Sequence, residues 1–402
     1  MASQPSQPER AAPGRRASWS LYDLRVRAVL YQILLVAAVG LVAWFLISNT
    51  AHNLETRKIA SGFGFLKREA GFAIGETTLI AYNAADTYLR ALEVGVLNTF
   101  RVSLIGVVIA TLLGTLIGLA RLSHNWMLSK LAAGYVETLR NIPLLVQLFF
   151  WYTVISDNLP GPRQALSPVS GVYLSNRGIA LPVLQSHPAH TWMAAAFAVG
   201  AIGAWWLARW AKRRQALTGQ PFPTVAAGTA LVLGLPLIVF LAFGAPFHLE
   251  RPVLRGFNFS GGATLTPEFA ALLGGLTTYT AAFIAEIVRA GVLAVERGQF
   301  EAAYALGLRP RRAMRLVILP QALRVIVPPM TSQFLNLTKN SSLAVAIGYP
   351  DIVSIANTTM NQTGQAIEGI AIIMAVYLTI SLTISLFMNW YNKKIALRGA
   401  RR

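Results

Sequence analysis

An all-α polytopic membrane protein with about eight transmembrane helices is the fold class predicted by this 402-residue sequence, on three observations. Apolar residues make up 54% of the chain and charged ones 13%, about half the charged share of soluble domains. Apolar stretches near the ~20 residues that cross a bilayer recur along the chain. Positive charge is concentrated in alternate connections between those stretches, as the positive-inside rule requires.

The stretches are Ala28–Ile47, Thr99–Ala120, Ile142–Ser156, His190–Leu207, Thr224–Phe247, Phe269–Val288, Val325–Ile347 and Ile367–Trp390. The first follows a polar lead of 27 residues and has no small-x-small cleavage site after it, so it reads as a retained anchor rather than a signal peptide. The third is short and can begin inside the preceding Val136–Leu139. The seventh contains Pro328-Pro329, the polar run Thr338–Ser342 and Gly348-Tyr349-Pro350. Such a segment must be broken, or lie where protein or water satisfies its backbone.

With both termini placed in the cytoplasm, the inner segments hold 24 of the 35 Lys+Arg residues. The formal net charge of +19 therefore resides on that side. Topology and attraction to anionic lipid account for it, and a chain this apolar is not a nucleic-acid binder. The absence of cysteine excludes disulfides and Cys-ligated metal, and His187 with His190 does not make a metal site.

The expected organisation is a cytoplasmic basic tail (1–27), an N-terminal anchor (28–47) and a periplasmic connection (48–87). A first core segment (88–156) follows, then an insertion (157–263) made of an outer loop and a hairpin of spans four and five. A second core segment (264–392) carries the inner loop 290–322, and a basic tail (393–402) ends the chain. Spans four and five hold no intramembrane charge, which suits lipid-facing helices.

The inner loop is the most informative segment. Gln299–Leu306 reads as a short helix of good helix formers, too short to be stable alone. Gly307 can take the left-handed conformation that ends it. Pro310 suits a first helical turn, Arg311–Leu319 reads as a second, basic helix, and Pro320 redirects the chain toward the membrane. Ala302 and Ala303 are expected to be exposed, where small residues permit close approach by another protein. This loop resembles the signature of ABC importer membrane subunits: Glu-Ala-Ala, three residues, Gly, nine residues, Ile, one residue, Leu-Pro. Glu301, Ala302, Ala303, Gly307, Leu319 and Pro320 fall on the pattern, with Val317 in place of Ile.

Further stretches are similar to the polar amino-acid permeases, the histidine/glutamine branch of that family. They are Asn98–Leu104, Arg140–Leu148, Tyr279–Arg289, Leu319–Ala322 and Leu337–Leu343. The N-terminal anchor, the inserted hairpin and the stretches 60–65 and 69–72 look like the Q-type membrane subunit of general L-amino-acid transporters. The resemblance implies a bacterial inner-membrane permease that is not itself an enzyme, translocating polar L-amino acids. It implies ATP-Mg on separate cytoplasmic ATPase subunits, one docked on the Glu301–Gly307 helix. It also implies a second homologous permease subunit in a heterodimer and a periplasmic amino-acid-binding protein. The sequence agrees that ATP binds elsewhere, since no lysine follows glycine and no phosphate loop exists.

Polar residues within spans are functional candidates. Lys339, with Asn340 and Ser341, either lines the path, or pairs with a neighbouring span or snorkels outward. Glu286 and Arg289, three apart on one helix face, form a structural pair or serve gating or substrate contact. Pro143 and Gln147 shape the path or pack the third span, and Thr280 is a further path candidate. Arg101 reads as an interfacial, snorkelling residue. An ion-coupled secondary transporter is the rival reading; it needs a midplane ion site, for which Glu286 and Lys339 are the available material.

Overall fold

The computed structural model describes residues 24–56, 61–185, 187–244 and 247–396, so most of the two basic tails lies outside the described residues. Helices dominate, at 74% of the described residues, because backbone groups within lipid must be satisfied inside their own segment. α1 (Leu24–Thr56) leads, with side chains such as Val36 and Trp44 exposed. The connection after it folds back through a 3-10 turn (Phe63–Lys67) onto α2 (Tyr88–Arg121).

α2 starts at Thr87, whose hydroxyl accepts the Arg90 N–H at 3.3 Å, satisfying one of the donors a helix start leaves orphaned. Next come α3 (Trp126–Asn141) and α4 (Leu144–Ser156), divided by Ile142-Pro143. Among the described residues, seven helices are long and apolar enough to cross a membrane, and α4 is a shorter apolar helix. At 13 residues α4 reaches only about 20 Å, short of a hydrocarbon core of about 30 Å. The expected third span is thus a helix pair with a break, not one rod.

Segment 157–263 brings an architecture that hydropathy did not suggest. Short strands β1 (Leu166–Val169), β2 (Val172–Ser175), β3 (Gly178–Leu181) and β4 (Val183–Leu184) precede the hairpin of α5 (Pro188–Thr218) and α6 (Thr224–Ala242). Strands β5 (Leu249–Glu250), β6 (Val253–Arg255), β7 (Asn258–Ser260) and β8 (Ala263–Leu265) follow it. One antiparallel sheet runs β1-β2-β3-β8, with Ile179 opposite Leu265, and β4–β5 and β6–β7 form separate pairs. The two flanks of the hairpin are therefore stitched together. Gly178, at φ 105°, must be glycine: an added Cβ would lie 2.0 Å from the Leu265 carbonyl oxygen.

α7 (Pro267–Leu293) is the central helix and packs against α2, α3, α4 and α10. Its contact with α2 is close because Gly114 and Gly118, one turn apart, leave room for the α7 backbone. A Cβ at Gly118 would sit 2.7 Å from the Ala285 carbonyl oxygen, and one at Gly114 2.7 Å from the Ile284 Cβ. Small residues at this spacing let membrane helices approach closely.

After α7 the chain forms α8 (Arg297–Ala305) and α9 (Pro310–Ala313). A π-turn (Met314–Ile318) then leads into α10 (Leu319–Asn340), and α11 (Ile352–Thr363) and α12 (Ala366–Ala396) complete the chain. α10 continues through Pro328-Pro329 and breaks only at Ser341, where a 3-10 turn runs to Ile347 and ends at Gly348, φ 79°. Pro320 likewise does not turn the chain. It sits in the first turn of α10, where the missing N–H is tolerated, and the wider turn before it lets the Leu319 N–H reach Met314 O.

Candidate coupling loop and translocation path

The inner loop is built to hold one short helix away from the body of the protein. Val295 and Ile318 anchor its two flanks in the core cluster that contains Ile284, Val288 and Ile326, with Phe300 of α8 packed against it. Gln321 Nε2 bridges to Gln299 Oε1 at 3.0 Å and to Val317 O at 3.1 Å. α8 ends in paired bonds: Leu308 N–H to Ala303 O at 3.1 Å and Gly307 N–H to Tyr304 O at 2.9 Å. That closure needs a left-handed residue after the cap, and Gly307 supplies it at φ 73°. Nothing lies within 4 Å of a Cβ added at Gly307, so the position needs the backbone angle rather than the space.

Of the two alanines expected outside, only Ala302 is exposed. Ala303 is 2% exposed and faces inward, because α8 packs on that side. The outward face carries Glu301, Ala302, Tyr304 and Leu306, the last 81% exposed. Arg309, Arg311, Arg312 and Arg315, also exposed, follow it along the chain. Exposed apolar and arginine side chains on one short segment suit a protein interface. Leu319 and Pro320 are exposed at the start of α10.

The candidate path residues fall in different places. Pro143 breaks α3 from α4, and its missing N–H leaves Leu139 O without the usual helical donor. Gln147 Nε2 supplies one at 2.8 Å and also donates to Ile142 O at 3.0 Å. Its amide nitrogen therefore stabilises the break, while Gln147 Oε1 is buried without a partner among the described residues. Thr280 and Ser341 are buried within the subunit, at 3% and 0% exposure. Ser341 Oγ donates to Thr338 O at 2.7 Å.

Glu286 is ion-paired with Arg289 at 2.6 Å, as the spacing allows, and also with Arg121, the last residue of α2. The second partner was hidden because it lies 165 positions away. Lys339 is exposed, and among the described residues its ammonium has no partner. Asn340 is half-buried beside it. Ser332, Asn336 and Lys339 together form an exposed polar stripe along α10, at the spacing that aligns residues on one helix face. Ser332 and Asn336 were not singled out from sequence, although their period with Lys339 was there to be read.

At the other end of α7, Arg101 is held rather than snorkelling. Its side chain is 13% exposed, paired at 2.6 Å with Glu76 and lying 4.3 Å from the centre of the Phe269 ring. Glu76 is itself 2% exposed and accepts from Thr78 and, at 3.0 Å, from Thr266. Asn98 Nδ2 donates to the Glu76 and Pro350 carbonyls, both at 3.0 Å, and Thr99 Oγ1 accepts the Ile352 N–H at 3.0 Å. These bonds clamp the outer connection, α2 and the start of α11 together. Asp351 caps α11 through the Ser354 N–H at 2.8 Å. Burial pushes the Asp351 carboxyl up to about 7 despite that bond.

This helical body and its Glu-Ala-Ala loop define a class. The family model for the binding-protein-dependent transport system inner membrane component matches residues 217–397. Over nearly full length the chain is 49% identical to the general L-amino acid transport system permease protein AapQ of Rhizobium johnstonii (96% of this chain, 97% of the relative). It is 53% identical to the putative amino-acid ABC transporter permease protein YhdX of Escherichia coli K12 (95% and 97%). It is 44% identical to BztB, a glutamate/glutamine/aspartate/asparagine transport system permease protein of Rhodobacter capsulatus (96% and 97%). The chain belongs to the inner-membrane permease subunits of binding-protein-dependent ABC transporters. It is a multi-pass transport component rather than an enzyme, and membership implies a cooperating ATPase and a binding protein. Nothing in these similarities supports ion coupling, and Glu286 is already committed to two guanidinium groups.

Proposed function

We propose that this subunit translocates polar L-amino acids by alternating access, driven by an ATPase docked on α8. The observation that carries the reading is the outward face of α8, with Glu301, Ala302 and Leu306 free on a helix whose ends are anchored. A short, rigid helix between two long ones can transmit closure of a partner to the membrane helices. Gly307 fixes the end of that helix, and Leu319 and Pro320 set its junction with α10. Relatives named for general L-amino acids and for glutamate, glutamine, aspartate and asparagine support the substrate class.

In this reading both termini are cytoplasmic, and α3 with α4 serves as one broken crossing, giving eight. Segments 88–156 and 264–392 form the permease core, and 157–263 is an insertion. The polar stripe of Ser332, Asn336 and Lys339 supports a path between two homologous permease subunits, because exposed polar groups at membrane depth are costly against lipid. The relative BztB, together with BztC, which shares its system name and is 33% identical over 168 residues of this chain, supports a heterodimer. Of the residues singled out from sequence, Lys339 and Asn340 then border the path. Pro143, Gln147, Thr280 and Ser341 shape its wall from behind, and Glu286 braces the inner ends of α2 and α7.

The test is reconstitution with co-purified partners in proteoliposomes. ATP-dependent uptake of labelled L-glutamine that requires a soluble binding protein supports the reading. Uptake driven by a sodium or proton gradient without ATP would overturn it.

A further inference from the structure

The inserted strands do more than carry the hairpin. With the outer connection they line an open polar cavity of about 660 Å³, bordered by Glu76, Thr78, Asn176, Arg177, Asn258 and Thr264 among others. It lies at the end of α7 that begins with Pro267, beside the clamped Arg101–Glu76 pair. Its walls come from three separate pieces of chain, the outer connection, the β2–β3 turn and the β7–β8 region, so it exists only when the insertion is folded onto the core.

The charge balance of this cavity is specific. Both Glu76 carboxylate oxygens are already used, by Arg101, Thr78 and Thr266, and the residue is 2% exposed. Arg177 is exposed, and among the described residues its guanidinium has no ion pair and no aromatic partner. Among the described residues the cavity thus presents one free cation, with amides and hydroxyls on its other walls.

The turn that carries Arg177 is anchored. The Asn176 N–H donates to Pro160 O at 2.9 Å and the Arg177 N–H to Ser175 Oγ at 3.3 Å. The neighbouring β6–β7 pair is fixed by Tyr173 stacked on Phe259 at 4.7 Å and by Arg163 over Phe257 at 4.5 Å. The anchored turn fixes where the Arg177 side chain starts, and a guanidinium suits bidentate recognition of a carboxylate.

We propose that the cavity receives an acidic side chain of the soluble amino-acid-binding protein, making the inserted β-domain a docking platform for substrate delivery. The proposal rests on the importer reading and adds where delivery occurs and by what chemistry. A free amino acid fits less well, because its ammonium needs a carboxylate and Glu76 has none to spare. Arg177, Asn176 and Asn258 also stand exposed on strand ends and turns, where another protein can reach them.

The experiment titrates the substrate-loaded binding protein against the reconstituted transporter and follows ATP hydrolysis. Arg177→Glu is expected to raise the half-maximal binding-protein concentration about tenfold or more, through like-charge repulsion. Basal hydrolysis, the rate at saturation and ATPase co-purification should be unchanged. Asn258→Asp, which adds an acid to the same wall from an independent strand, should shift the titration in the same direction. Salt should weaken wild-type docking more steeply than docking by the Arg177→Glu complex.

If both variants titrate like wild type, the proposal is overturned while the importer reading stands. The proposal is also overturned if free L-glutamate alone raises the melting temperature of the wild-type complex and not that of Arg177→Glu, since the cavity is then a ligand site. A wild-type complex that no binding protein stimulates removes the importer reading and the proposal together.

Discussion

Gly307 joins backbone chemistry to function at a single residue. Its left-handed φ of 73° closes α8, so a non-glycine residue there costs about 1 kcal/mol, somewhat less for Asp. That is too little to prevent membrane insertion. In Gly307→Asp the added carboxylate also enters the turn beside the exposed Leu306, where it is desolvated if a partner docks. An unpaired charge at such a contact can cost several kcal/mol, and about 1.4 kcal/mol already means a tenfold loss. The expected outcome is normal membrane abundance, loss of the ATPase on co-purification and no uptake. Alanine at Glu301 should weaken docking more mildly, since it removes a contact and adds no repulsion. Retention of the ATPase and of transport by Gly307→Asp would end the assignment of α8 as the coupling element.

The Lys339 ammonium has no partner among the described residues, so pairing with a neighbouring span is not found within the subunit. It is exposed in the subunit and shares a stripe with Ser332 and Asn336. Lys339→Ala should therefore leave the thermal stability of the isolated subunit nearly unchanged and reduce uptake at least severalfold. Uptake at the wild-type level, with equal expression, would place Lys339 outside the path.

Among the elements, the pairing of α2 with α7 depends on Gly114 and Gly118. Their added Cβ atoms would come within 2.8 Å of the α7 carbonyls of Ala281 and Ala285, and backbone cannot move aside as a flexible side chain does. Gly118→Val should separate the helices at a cost of about 1–3 kcal/mol or more. It should also disturb the Arg121–Glu286–Arg289 network just beyond. A melting temperature in detergent equal to wild type would show that the helices do not meet there. The long spans, the end of α8 at Gly307 and the Glu286–Arg289 pair were legible in the sequence; the Gly-x-x-x-Gly spacing was present but not singled out.

Other features were not legible, for identifiable reasons. Strands of two to four residues carry too little alternation to register. The Glu76–Arg101 pair joins residues that look like a loop acid and an interfacial base until the fold brings them together. Pro328-Pro329 was a misleading break, because the carbonyls freed four residues earlier belong to Arg324 and Val325, which lie on the exposed side of α10 and need not unwind the helix.

For the molecule as a whole, the insertion has two parts with different relations to the core. The strands are integral: β3 pairs with β8, which leads directly into α7, so removing 160–262 would strip β8 of its partner and destroy the outer cavity. The α5–α6 hairpin instead packs mainly on itself, with Gly200 admitting α6 so closely that an added Cβ would lie 2.5 Å from Leu231 O. Its two flanks meet at β4 and β5, where the Gln185 N–H donates to His248 O at 2.9 Å. Excising 186–247 and closing the gap with an Asn-Gly turn therefore joins strands that already pair. Two crossings are removed at once, so the orientation of every remaining helix is preserved. The shortened protein is expected to insert, to retain its ATPase and to respond to the binding protein, whereas the 160–262 deletion should retain the ATPase but lose that response. Co-purification and stimulated ATP hydrolysis of the two deletions separate these outcomes. If the 186–247 deletion inserts but fails to assemble, the hairpin is part of the working core rather than an appendage to it.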